Sequence, residues 1–177
     1  THSGLLLGSG NLVKTGGGVA SFTNSSGFTG PIDLQAGTLA STGLGGTDTI
    51  TMQGGTTFQP LDGFSSSRPI TLAGNASILV DGSASATLAG PISGSSILGK
   101  NGTGTLILGG NNTFNLLAFN AGTISISNGD QLGNGELVFN GEATLVTTQT
   151  EGRGGRHRMD RGTAAGPKTE ANGHKVT

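Results

Sequence analysis

The chain has 177 residues, 35 of them glycine, a formal net charge of −1, and no cysteine, tryptophan or tyrosine. The lack of cysteine excludes a disulfide scaffold and any cysteine-based nucleophile or metal site, and no apolar run is long enough for a membrane-spanning helix. Residues 1–150 carry only three basic side chains, Lys14, Arg68 and Lys100, against seven acidic ones, so this body has no basic patch for nucleic acid.

The opening stretch "THSGLLLGSGNLVK" lacks a basic segment and has only a three-residue apolar run, so it does not read as a signal peptide. From there to residue 150 the chain is a series of short runs with apolar residues at alternate positions. Examples are "PITL" (69–72), "SILV" (77–80), "ATLAG" (86–90), "TLIL" (105–108), "TISIS" (123–127) and "ELVF" (136–139). Alternation predicts strands with one buried face. The inward set is Ile70, Leu72, Ile78, Val80, Leu88, Leu106, Leu108, Ile124, Ile126, Leu137 and Phe139. Clusters such as "NSSG", "NGTG", "GGNN" and "SNGD" separate the runs and supply turns.

"GSSILGKN" (94–101) fits the first seven positions of a phosphate-binding loop, with Gly94, Gly99 and Lys100 in place. The eighth position is Asn101 where a Ser or Thr hydroxyl should ligate magnesium. Glycines at 102, 104, 109 and 110 oppose the helix that should follow. The segment is better explained as one copy of an internal repeat. "VKTGGG" (13–18) aligns with "GKNGTG" (99–104), pairing Lys14 with Lys100, and Phe28 aligns with Phe114, both at an offset of 86. "AGTLAST" (36–42) aligns with "AGTISIS" (121–127), and "MQGGTTF" (52–58) with "FNGEATL" (139–145). The two copies span about residues 8–58 and 94–145. Short strands, long internal repeats, seven phenylalanines and few charges favour a solenoid over a sandwich or barrel. Its coils would be held by stacking like residues on like, with asparagine ladders.

No catalytic, cofactor-binding or metal-binding residue is assigned. His2, His157 and His174 lie near the termini, and no Ser sits in a nucleophile elbow. "GGTD" (45–48) reads as a turn and not as a calcium repeat, and Asp33, Asp62, Asp81 and Asp130 as solvated positions. Residues 151–177 hold six basic and three acidic residues without alternation, and read as a disordered basic tail, either a frameshifted or non-native stretch or a flexible basic linker.

The segments "GSGNLVKTGGGVASFTNSSGFTGPIDLQAGTL" (8–39) and "GSSILGKNGTGTLILGGNNTFNLLAFNAGTI" (94–124) resemble the autotransporter-associated β-strand repeat of type V secretion passenger domains. Lys, the glycine pair, Phe and "AGT" occur in that order twice. The first copy departs with "VASF" for T-L-x-L, the second with "FNL" for aromatic-Thr-Gly. The resemblance implies a right-handed parallel β-helix with three short strands per coil, exported through the outer membrane to the bacterial surface. It implies a scaffold without enzymatic activity, cofactor, nucleotide or nucleic acid. It also implies a longer polypeptide with its own outer-membrane barrel, in which an adhesin or other effector contacts host surface or glycan. The alternative function is a glycan-binding or ice-binding module using Thr, Ser and Asn ladders.

Overall fold

The computed structural model describes residues 6–23 and 27–148. Each run is too short to bury its apolar face alone, so the chain winds and stacks each run on its predecessor. Sheet one stacks β1 (Leu12–Lys14), β3 (Ile32–Leu34), β5 (Ile50–Met52), β8 (Ile70–Leu72) and β11 (Ile92–Ser93). Sheet two stacks β2 (Val19–Phe22), β4 (Thr38–Ser41), β6 (Thr57–Pro60), β9 (Ala76–Leu79), β12 (Ile97–Asn101), β14 (Leu116–Phe119) and β16 (Glu136–Phe139). Sheet three stacks β7 (Ser65–Ser66), β10 (Ser85–Leu88), β13 (Thr105–Leu108), β15 (Gly122–Ile126) and β17 (Ala143–Thr147). Every strand pairing is parallel. The molecule is an all-β solenoid of about 7 turns.

Three strands per coil hold in the middle of the stack, from β6 to β13. Earlier coils have no strand on the third side, where residues 27–31 and 42–49 run irregularly. In the last two coils residues 109–115 and a 3₁₀ turn, Gly129–Leu132, replace the strands of sheet one.

Inward residues form columns along the stack. Ile32, Ile50, Ile70 and Ile92 follow one another on sheet one. Leu106 lies on Ala86 and under Ile124 on sheet three. Ten of the eleven residues expected inward are buried. The correction is Phe139, which is 36% exposed. It does stack on Phe119, with ring centroids 5.4 Å apart, but β16 is the last strand of its sheet among the described residues and no described strand stacks on its other side. Alternation reports which side a residue takes; burial also needs a neighbouring coil.

Candidate functional site

Lys100 decides what the "GSSILGKN" segment is. Residues 97–101 are β12, paired with β9 on one side and β14 on the other. Their backbone N–H groups therefore serve strand ladders and do not form a phosphate cradle. Lys100 occupies an inward column, between Ile78 and Phe119, and is 0% exposed. Its ammonium reaches the corner beyond the strand and donates to the carbonyls of Asn101 (3.0 Å), Gly102 (2.8 Å) and Ala121 (3.1 Å). Three donors meet three acceptors, which makes a buried ammonium tolerable. Burial still pushes its pKa down, to about 8, against the opposing pull of Asp81.

Lys14 repeats the arrangement. Its ammonium donates to the carbonyls of Thr15 (2.9 Å), Gly16 (2.6 Å) and Ala36 (2.8 Å). In both copies the first two carbonyls belong to the two residues that follow the lysine and the third to the alanine of "AGT" one coil later. The glycine of that triplet has a left-handed backbone, with φ of 73° at Gly37 and 81° at Gly122. A Cβ there would lie 2.5 Å from the carbonyl oxygen of Gly18 or of Gly102, respectively. The recurring Lys, glycine pair and "AGT" are thus one corner clamp joining two successive coils.

The two clamps sit at different corners. Lys14 lies between sheets one and two, and Lys100 between sheets two and three. Four coils carry Leu12 to Ile92 on sheet one. Leu98, the counterpart of Leu12 at the offset of 86, lies six residues further on, in sheet two. The sequence repeat is therefore four coils and one side, and its motif serves either corner equally.

The sequence reading missed Arg68, counted there only as a charge. It is 2% exposed and its guanidinium faces the irregular third side of the early coils. Nε donates to the Gly45 carbonyl, Nη1 to Gly30 (2.9 Å) and Asp48 (3.1 Å), and Nη2 to Phe28 (3.2 Å) and Gly30 (2.9 Å). The guanidinium carbon also lies 5.9 Å from the Phe28 ring centroid. Burial lowers its pKa, and Asp48 opposes that. A signal was available: "RPI" (68–70) has Arg where "GPI" at 30–32 and 90–92 has Gly.

Amides do comparable work. Asn112 Oδ1 accepts from the Ile92 N–H (2.7 Å) and its Nδ2 donates to the Gln131 carbonyl (2.6 Å), replacing ladder bonds where sheet one has ended. On sheet two, Asn140 Nδ2 donates to Asn120 Oδ1 (2.9 Å) and Asn120 Nδ2 to Asn101 Oδ1 (2.7 Å), an asparagine ladder over three coils. Among the described residues every buried side-chain nitrogen and oxygen has a partner. No group of three His, Cys, Asp or Glu among them is placed to hold a metal ion. Of the aspartates, Asp33 faces outward in β3 and Asp62, Asp81 and Asp130 are exposed. "GGTD" is a turn whose carbonyls serve Arg68. His2, His157, His174 and all of 151–177 lie outside the described residues.

The fold and its clamps define a parallel β-solenoid in which two lysine clamps, four coils and one side apart, each pin a pair of successive coils. Residues 12–40 and 98–129 each match the family model of the passenger-associated-transport-repeat. Each match begins just before a clamp lysine and runs through its "AGT", in agreement with the resemblance read from the sequence. Neither the curated proteins nor the solved structures compared with the chain gave a match.

Proposed function

We propose that this chain is a non-enzymatic scaffold segment of a bacterial autotransporter passenger. In this reading it is exported through the outer membrane, stays at the surface or is released, and spaces an adhesin or other effector carried elsewhere in a longer polypeptide. One observation carries the proposal: Lys100, Arg68, Asn112 and Gln131, the buried polar side chains a site would draw on, all hold coil backbone together. Fusing residues 1–150 between an export signal and an outer-membrane barrel tests it. The segment should become accessible to external protease on intact cells, at a level matched by a known passenger. Periplasmic retention would count against the reading.

A second reading is favoured by the outer face of sheet three. Ser85, Thr105, Thr123 and Thr144 stack in one outward column, beside a second column that runs Thr87, Ile107, Ser125 and Val146. The uncharged hydroxyl column suits an adhesive module for glycan. Saturable binding on a glycan array, abolished by Thr105→Val with Thr123→Val, would favour it over a pure scaffold.

A further inference from the structure

The sequence carries four Asn-x-Ser/Thr triplets, beginning at Asn24, Asn75, Asn101 and Asn111. This triplet is the acceptor for N-linked glycosylation, a modification of protein surfaces. Two of the four recur with the repeat: "NSSGF" (24–28) and "NNTF" (111–114) each set the triplet just before one of the aligned phenylalanines, Phe28 and Phe114. Asn24 lies outside the described residues, and the other three occupy different settings. Asn75 and Asn101 are engaged between coils. Asn75 Oδ1 accepts from the Ile97 N–H (3.0 Å), and Ser77 of its triplet lies inside β9, between Thr57 and Gly99. Asn101 ends β12, its Oδ1 accepts from Asn120 Nδ2 (2.7 Å), and Thr103 of its triplet donates to the Gly82 carbonyl (3.3 Å).

Residues 111–113 lie instead in the strandless stretch 109–115, where a transferase meets a loop and not a paired strand. The middle residue, Asn112, turns inward, is 3% exposed, and is held by the Ile92 N–H and the Gln131 carbonyl. Its two neighbours are thereby turned outward, and both Asn111 and Thr113 are exposed. Among the described residues neither the Asn111 amide nor the Thr113 hydroxyl has a hydrogen-bond partner. We propose that Asn111 is an N-glycosylation site that takes a hexose from a nucleotide-activated donor. In the transfer the Asn111 amide nitrogen, Nδ2, bonds to the anomeric carbon of the sugar. The bond from that carbon to the diphosphate oxygen breaks, its electron pair leaves with the nucleoside diphosphate, and the nitrogen gives up one proton. A separate glycosyltransferase directs the step, and nothing is oxidised or reduced. Because Asn112 anchors the segment from inside, a sugar on Asn111 projects away from the stack and displaces no contact between coils.

The test uses the folded full chain carrying Asn24→Gln, so that only the three described triplets remain. It is incubated with a soluble N-glycosyltransferase and UDP-glucose, and the product is mapped by peptide mass spectrometry. A single hexose is expected, on Asn111. Asn111→Gln should abolish the mass gain, and so should Thr113→Val, which keeps Asn111 but removes the hydroxyl of the triplet. Both side chains are exposed and unpartnered, so both variants should keep the far-UV spectrum of the parent. The melting midpoint of the modified chain should equal that of the unmodified one. A folded chain that takes no hexose, hexose on Asn75 or Asn101 to the same extent as on Asn111, full modification of Thr113→Val, or a lowered melting midpoint after modification would each overturn the proposal.

Discussion

Lys100 shows how one side chain can imitate a catalytic motif and serve structure. Replacing it by Met keeps the stem and removes three donors from inward-facing carbonyls. Loss of a partner costs a buried acceptor about 1–3 kcal/mol, and relief of the buried charge offsets part of that. Lys100→Met should therefore destabilise the solenoid by about 2 kcal/mol in urea unfolding. Unchanged stability would show that the clamp is ornamental. The same lysine sets a pH dependence. Its folded pKa, about 8, lies below its ordinary value of 10.5. Between those values the unfolded chain binds more protons, so stability rises with pH across the window, and the cost of burying the charge is fully present below it. The slope of stability against pH from 8 to 10 should be smaller in Lys100→Met; equal slopes would refute the assignment. Saturable ATP binding lost in the same variant would restore the phosphate-loop reading.

Facing decides the effect of a substitution within a strand. In β15, Ile124 is fully buried against Leu106, whereas Ser125 is outward beside Ile107. Ile124→Asp buries an unpaired carboxylate and should cost several kcal/mol, and Ser125→Asp about 0.5 kcal/mol or less. Equal midpoint shifts would mean that β15 is not seated as described. Between coils, Arg68 fastens the third side where strands are missing. Its five donor contacts reach Phe28 and Gly30 two coils back and Gly45 and Asp48 one coil back. Arg68→Lys keeps the charge but loses the planar fork. It should destabilise almost as much as Arg68→Met, and hydrogen exchange should show the loss concentrated in residues 27–50. Protection lost evenly along the stack would contradict that role.

As a whole the molecule is quasi-one-dimensional, each coil held by its neighbours. Amide exchange should be slowest from β8 to β14, where every strand but β11 has partners on both sides, and fastest in the coils of β1 and β17. A single uniform exchange free energy would indicate a globally cooperative unit instead. The far-UV spectrum should be dominated by strand. Helix approaching the globular average of roughly a third would be incompatible with the three parallel sheets.

Much of this was legible in the sequence because a solenoid is written locally. Alternation located the strands and their inward residues, since the side-chain period of two holds wherever one face is buried. The duplicated Lys, glycine pair and "AGT" revealed the repeat because a corner that needs an ammonium and a left-handed glycine accepts few other residues. The sequence was silent on everything that depends on which coil lies above or below. It showed two lysines in repeats but not their three carbonyls, one of which comes from the following coil. It registered Arg68 only as a charge because its partners are 20 to 40 residues away. It placed Phe139 inward, correctly as to side, yet only the stack shows that β16 is the last described strand of its sheet. The third of a turn between the copies was equally hidden: an offset of 86 acquires meaning only once the coil length is known, and coil length is set by stacking.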